Sequence, residues 1–306
     1  MNRQKFELLI LGSSAAIPTS ERNQTSQILN ICERWFLIDC GEATQIQLRK
    51  YKSKLQAINH IFISHLHGDH FFGLPGLLSS MHLLGRKTDI HIYAPENLKE
   101  FIDKALHVSE STLAFSIKWT FTKDDKLRLL FEDDKVEIFS FPLKHRIFCT
   151  GFLFKEKPLP RKIDKENLEK FGLCTADIPA LRKGLDVINN SGKTVKNQKV
   201  TLDPFPSRSF AYCSDTIYNL EVVNHIINVD LLYHESTFLE DNLARAKKTF
   251  HSTAKQAAEI AKNAKAKKLI LGHFSTRYPD LDQFLTESKT VFPNSELATD
   301  GKKFNI

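Results

Sequence analysis

The 306-residue sequence carries only five cysteines, Cys32, Cys40, Cys149, Cys174 and Cys213, and no Cys-x-x-Cys pair. An odd count without paired spacing argues against a disulfide framework and for reduced, mostly buried thiols in a cytoplasmic protein. No apolar run approaches the roughly 18 residues of a membrane-spanning helix. The N-terminal run Phe6 to Leu11 is interrupted by Glu7 and is too short for a signal h-region, so a soluble, unprocessed protein with no membrane partner is expected. No repeat of solenoid period is present either. What remains is ordinary globular composition, enough for one large or two small domains. The net charge of +7 and pI near 9.0 admit a polyanionic partner without requiring one.

One stretch concentrates chemistry. Ser64-His65-Leu66-His67-Gly68-Asp69-His70 packs four potential metal ligands into six consecutive positions. Three imidazoles and a carboxylate at this spacing suit borderline divalent metals such as zinc, and Gly68 is expected to turn the backbone sharply enough to converge them. The preceding Ala57 to Ile63 is short, β-branched and apolar, as a buried strand is, so the ligands fall on the loop at its end. That is where α/β sheets place their sites.

Along the chain, Phe6 to Leu11 reads as a strand leading into the small-residue loop Gly12 to Pro18 and then Arg22-Asn23. Arg22 and Asn23 with exposed amides are candidate phosphate contacts, although a tight turn explains the loop equally. Ser26 to Ile31 and Trp35 to Ile38 make a hairpin around Cys32-Glu33-Arg34. Asp39 to Glu42 opens a helix through Lys50, where Asp39 serves either the helix amides or, from behind, a metal ligand. Helical spacing covers Phe72 to Leu84 and Pro95 to Leu106; strands are expected at Ile90 to Tyr93, Ala114 to Phe121, Lys126 to Phe131 and Val136 to Phe141. This alternation, resumed after residue 208, suggests two sheets with helices outside.

Between them the texture changes. Residues 155–199 hold eleven Lys/Arg against six acids, supplying +5 of the +7, and Pro158, Pro160, Pro179, Gly184 and Gly192 break the segment into pieces. So polar a segment is expected to bury little of itself and to form a basic arm over residues 155–205; a solvated insertion without a partner is the alternative.

The His65 to His70 stretch resembles the signature of the metallo-β-lactamase superfamily. That resemblance implies a four-layer αββα sandwich and three further ligands in order at strand ends. His145, Asp215 and His273 occupy those positions, after Val136 to Phe141, Phe210 to Cys213 and Lys268 to Gly272. By similarity, His65, His67 and His145 take one divalent ion and Asp69, His70 and His273 another, most readily Zn2+, with Asp215 bridging.

With the insertion, Pro142 to Arg146, Ser214-Asp215-Thr216, His234-Glu235-Ser236-Thr237, His251-Ser252-Thr253 and Gly272 to Tyr278, nearly the whole chain resembles the bacterial short form of tRNase Z. The paired His-Glu-Ser-Thr and His-Ser-Thr motifs are the most discriminating part. The resemblance implies an endoribonuclease acting on precursor tRNA, a homodimer, and an arm that grips the tRNA body. Ser20 replaces a lysine frequent in the family, and the arm lacks its frequent Gly-Pro pair. Asp69 is expected to accept a proton from the attacking water, and His251, held by Glu235, to protonate the leaving 3′-oxygen. Ser275 and Arg277 are candidate phosphate contacts, with a helix cap as the simpler account of Ser275-Thr276. His60, His82, His91, His107 and His225 are read as packed or polar. The rivals are another hydrolase of the superfamily, a small phosphodiesterase, thioesterase or lactonase, and a non-catalytic, metal-stabilised RNA-binding module.

Overall fold

Residues with alternating apolar side chains, rich in Phe, Ile and Leu, form two mixed sheets whose inner faces meet in one aromatic layer. A computed structural model describes residues 3–306. Edge to edge, the first sheet runs Lys303–Asn305, Phe6–Gly12, Ser26–Ile31, Arg34–Cys40, Ile58–Phe62, Ile90–Ala94 and Ile117–Phe121. The second runs Ser295–Leu297, Lys268–Gly272, Leu231–Glu235, Ser209–Cys213, Thr150–Glu156, Val136–Pro142 and Arg128–Glu132. Between them Phe62 stacks on Tyr93 with centroids 4.4 Å apart and meets Phe152 and Phe154 edge-on. Phe36, Phe210, Tyr212 and Tyr233 complete this layer. Offset and edge-on rings fill such a space densely, each contributing area and a further increment from ring geometry.

The outer faces are covered by helices. Leu74–Leu83 and Asn97–Val108 pack Leu74, Leu77, Leu78, Leu98 and Ile102 on the first sheet. Ala254–Asn263 and Asp282–Lys289 place Ala257, Ala258, Ala261 and Phe284 on the second. The small alanine face brings the first of these close to its sheet, and Thr253 starts it with a capping box to Gln256. The order is therefore helix, sheet, sheet, helix: the αββα sandwich.

Several local expectations shift. The helix after Asp39 covers only Thr44–Lys50, with Ala43 in a left-handed conformation at its start, so Asp39 does not cap it. The helical stretch after the histidines divides into Gly68–Phe71 and Leu74–Leu83. Gly68 does not have the left-handed backbone of a sharp turn; its missing side chain instead leaves room for the Phe72 ring. Ala114 to Ser116 fall outside the strand, which starts at Ile117.

Residues 156–207, with Arg3, form a compact unit distinct from residues 4–155 and 208–306. This segment buries more of itself than its composition suggests. Leu168, Leu173, Leu181, Val187, Val195 and Val200 make a core of their own, and two short ribbons form in the segment, Lys162–Ile163 with Thr201–Leu202 and Val187–Ile188 with Thr194–Val195. Asn197 ties it by donating to the Leu181 and Leu185 carbonyls.

Candidate metal centre

The seven ligand candidates lie just beyond strand ends, five on loops and Asp69 and His70 on the short helix Gly68–Phe71, where the sheets stop hydrogen bonding to neighbours and side chains can converge. His65 Nε2 and His145 Nε2 lie 3.1 and 3.2 Å from His67 Nδ1. His70 Nε2 lies 3.3 Å from His273 Nε2, and Asp69 Oδ2 is 3.5 and 3.4 Å from these two nitrogens. Asp215 stands between the groups: Oδ2 is 3.6 Å from His65 Nε2, and Oδ1 is 3.2 Å from His273 Nε2. Donor atoms of His65, His67, His145 and Asp215, and separately of Asp69, His70 and His273, all lie within 4.8 Å of one another.

Proton positions follow from the partners on the far side of each ring. The Phe250 carbonyl can only accept, so His145 Nδ1 carries a proton and Nε2 is bare. Asp39 accepts from His70 Nδ1 at 2.8 Å. Thr237 gives its hydroxyl proton to Glu235 Oε2 and therefore accepts from His273 Nδ1 at 2.9 Å. In the neutral rings two lone pairs thus face each other across 3.3 Å between His70 and His273. Such facing lone pairs repel unless a cation lies between them. Burial, and then the neighbouring imidazole charges, push His65 well below the ordinary histidine range, while burial lowers His67 to about 4. Burial would lower His70 as well, but Asp215, Asp69 and Asp39 outweigh it and raise it to about 10. The pocket therefore draws in positive charge, and Asp215 Oδ1, buried with no hydrogen-bond partner, faces it. Once His70 gives up its proton, these imidazoles, ionised carboxylates and an orphaned oxygen are the donor set for divalent transition metals.

Glu235 and His251 lie against this cluster. Glu235 Oε1 accepts from His251 Nδ1 at 3.0 Å and from the Thr216 and Ser252 amides, and its side chain is fully buried. His251 also comes within 4.0 Å of Asp215, but its Nδ1 is held by Glu235, which leaves Nε2 free.

The 303-residue alignment with ribonuclease Z of Bacteroides thetaiotaomicron is 43% identical and covers 99% of this chain and 96% of the relative. Ribonuclease Z of Cytophaga hutchinsonii is 48% identical over 98% of this chain and 96% of its own length. The chain belongs to the ribonuclease Z family. Among solved structures, the short form of human tRNase Z superposes with a TM-score of 0.70 at 28% identity, covering 97% of this chain and 98% of that one. The metallo-β-lactamase fold protein YhfI of Bacillus subtilis reaches the same TM-score at 18% identity, a likeness of fold alone. The profile of the anti-Pycsar protein Apyc1 family matches residues 6–147.

Within this ribonuclease Z-type chain, the other candidates are placed differently. Asn23 gives its side-chain amide and its N–H to Asp300, and the Arg22 guanidinium donates twice to the Tyr278 carbonyl, so both brace the loop. Arg277 is exposed and Ser275 half-buried; no helix starts there, since the next is Asp282–Lys289, so the capping account of Ser275-Thr276 fails. His234 is buried with Nδ1 on the Glu235 carbonyl, and His225 stacks on Phe141.

Sequence reasoning missed Tyr212 and Thr237, and left Asp39 with two readings. Asp39, fully buried, accepts from the Ser64 amide and hydroxyl, His70 Nδ1 and, at 2.6 Å, the Tyr212 hydroxyl. Tyr212 lies in an apolar strand, where nothing in its neighbours signals a polar role. Asp39→Ala would leave the tyrosine and imidazole protons unpaired and free the His70 ring. A fall in metal affinity of roughly 10- to 100-fold is expected, confined to one of two ions and read by competition with a chelating dye. Unchanged affinity for both ions would show that Asp39 only serves packing.

Proposed function

We infer that this protein is a metal-dependent endoribonuclease that removes the 3′ trailer from precursor tRNA by hydrolysing one phosphodiester and leaving a 3′-hydroxyl. One observation carries the reading: a chain of the ribonuclease Z family holds two donor clusters with Asp215 facing both, and a Glu235–His251 pair at their side. In this reading His65, His67 and His145 hold one divalent ion, Asp69, His70 and His273 the other, and Asp215 offers an oxygen to each; Zn2+ suits the histidine-rich set. When bound, such ions lower the pKa of water, orient the phosphodiester and offset charge in the transition state.

The remaining work falls to side chains of this protein. Asp69 accepts the Ala16 amide at 2.8 Å. Burial acts to raise its pKa, but the charge of His70, first among several neighbours, holds it well below the ordinary carboxylate range. An ionised Asp69 accepts from, and so orients, the attacking water. His251 is the acid for the departing 3′-oxygen through Nε2, with Glu235 keeping the ring charged and aligned. Arg277, exposed four residues after His273, is a contact for the RNA backbone, whereas bracing is the role better suited to Arg22 and Asn23.

The basic segment of residues 155–205 is the arm for the tRNA body in this proposal, supported by its charge excess and its self-contained core. The Thr150–Glu156 and Ser209–Cys213 strands are antiparallel neighbours, so a short turn can replace the segment. Its deletion is expected to raise KM for precursor tRNA steeply and flatten the salt dependence of binding, with kcat on bis(p-nitrophenyl) phosphate little changed. Equal KM for precursor tRNA with and without the segment would remove the arm from the proposal and favour the small-phosphodiester reading. A homodimer is part of the same reading, checked by sedimentation equilibrium. A cytoplasmic location fits the five cysteines, none of which is in a disulfide among the described residues. Among the described residues no helix is long and apolar enough to cross a membrane.

A further inference from the structure

The first sheet carries a second polar depression on its helix-covered outer face, at the end of its strands away from the metal-ligating loops. Trp35 and Asp39 lie near opposite ends of the strand Arg34–Cys40; four residues at about 3.3 Å each separate them by roughly 13 Å. The depression measures about 290 Å³, the size for one small ligand. Glu7, Asn30 and Trp35 lie side by side across three strands at its floor, in register Glu7 with Asn30 and Asn30 with Trp35.

Asn30 is 2% exposed. Its Oδ1 accepts the Glu33 amide at 3.0 Å, which fixes the orientation of the side chain and leaves Nδ2 a buried donor without a partner. Natural interiors rarely leave such a donor unpaired. On the neighbouring strand Glu7 pairs Oε1 with Lys5 at 3.1 Å and Lys303 at 3.6 Å, and Oε2 has no ion pair among the described residues. A donor and an acceptor therefore stand next to each other, about 5 Å apart as directly paired residues are. Trp35 and Tyr51, both half-buried, offer ring surface beside them, with Lys54 Nζ 5.9 Å from the Trp35 ring centroid. Lys52, on the rim, forms no ion pair among the described residues.

A flat ring, an adjacent donor and acceptor, and surrounding ammonium groups match a planar heterocycle carrying a phosphate. We propose that this depression binds a single nucleotide, with its base against Trp35, the base edge on Asn30 and Glu7, and the phosphate among Lys52 and Lys54. The nucleotide is either a free mononucleotide or an unpaired nucleotide of bound RNA. The site uses no residue of the metal centre, so it stands or falls separately from the catalytic reading.

The test uses the full-length protein with Trp119→Phe, which leaves Trp35 as the single tryptophan. Its fluorescence is titrated with GMP, with a 5′-phosphorylated single-stranded oligoribonucleotide and with inorganic phosphate. Saturable quenching by GMP assigns the free nucleotide, and quenching by the oligonucleotide alone assigns the RNA; phosphate should quench neither strongly. Asn30→Asp, which replaces the buried donor by an acceptor, should weaken the nucleotide by about tenfold or more. Lys52→Glu, at an exposed position, should weaken it too and decides the matter where Asn30→Asp does not fold. No quenching by GMP or RNA up to about 1 mM, or quenching indifferent to both substitutions, overturns the proposal.

Discussion

Asp215→Ala is expected to reduce cleavage of a 5′-labelled precursor tRNA by more than about 10³-fold, beyond the roughly 10- to 100-fold that loss of a supporting residue behind a ligand costs. The reason is its position: each carboxylate oxygen faces a different donor cluster, so one substitution removes a ligand from both. Metal content after desalting should fall from two ions per chain to one or fewer. Without metal the substitution also removes the carboxylate that does most to keep the buried His70 charged, so thermal unfolding must be measured alongside. A folded Asp215→Ala protein that keeps two ions and cleaves within tenfold of the parent would end the shared-ligand reading.

The second large effect belongs to His251. Its replacement by alanine should slow single-turnover cleavage by about 10²- to 10⁴-fold, the range for a positioned general acid, while metal content stays at two. Burial acts to lower the pKa of His251, but the charge and hydrogen bond of Glu235, then Asp215 and Asp69, raise it to about 9. An acid must be protonated to donate, so the rate should fall as pH rises through that pKa. With cations engaging Asp69 and Asp215, the contribution that persists is that of Glu235. Glu235→Gln removes it and leaves the burial, so the alkaline limb should move to lower pH. A limb that stays in place in Glu235→Gln would assign the acid to another group. A merely structural role for the pair would lower the rate equally at every pH.

These predictions rest on residues of unequal visibility. His65, His67, Asp69 and His70 are legible because one short loop carries them, and ligand chemistry is readable at short spacing. His145, Asp215 and His273 are legible as residues following apolar runs, since a strand end is visible in the sequence. Asp39 is ambiguous in the sequence because the two accounts of it differ only in what lies opposite: its partners Ser64, His70 and Tyr212 are 25, 31 and 173 residues away. Arg22 and Asn23 look like exposed phosphate contacts until Tyr278 and Asp300 close on them from the far end of the chain. The core of the 156–207 segment is hidden for a related reason. Its six apolar residues follow neither helical nor strand period, so only folding brings them together.

The sequence by itself determined the class of the chemistry, a divalent metal site of histidines and carboxylates on a two-sheet α/β scaffold, because local periodicity and ligand spacing are properties of neighbouring residues. Only the tertiary structure decided which oxygen of Asp215 faces which cluster, which imidazole nitrogens are bare, and that Asp39 supports His70 rather than a helix. Those are contacts between strand ends distant in the chain, and direction and protonation there depend on what packing places behind each ring.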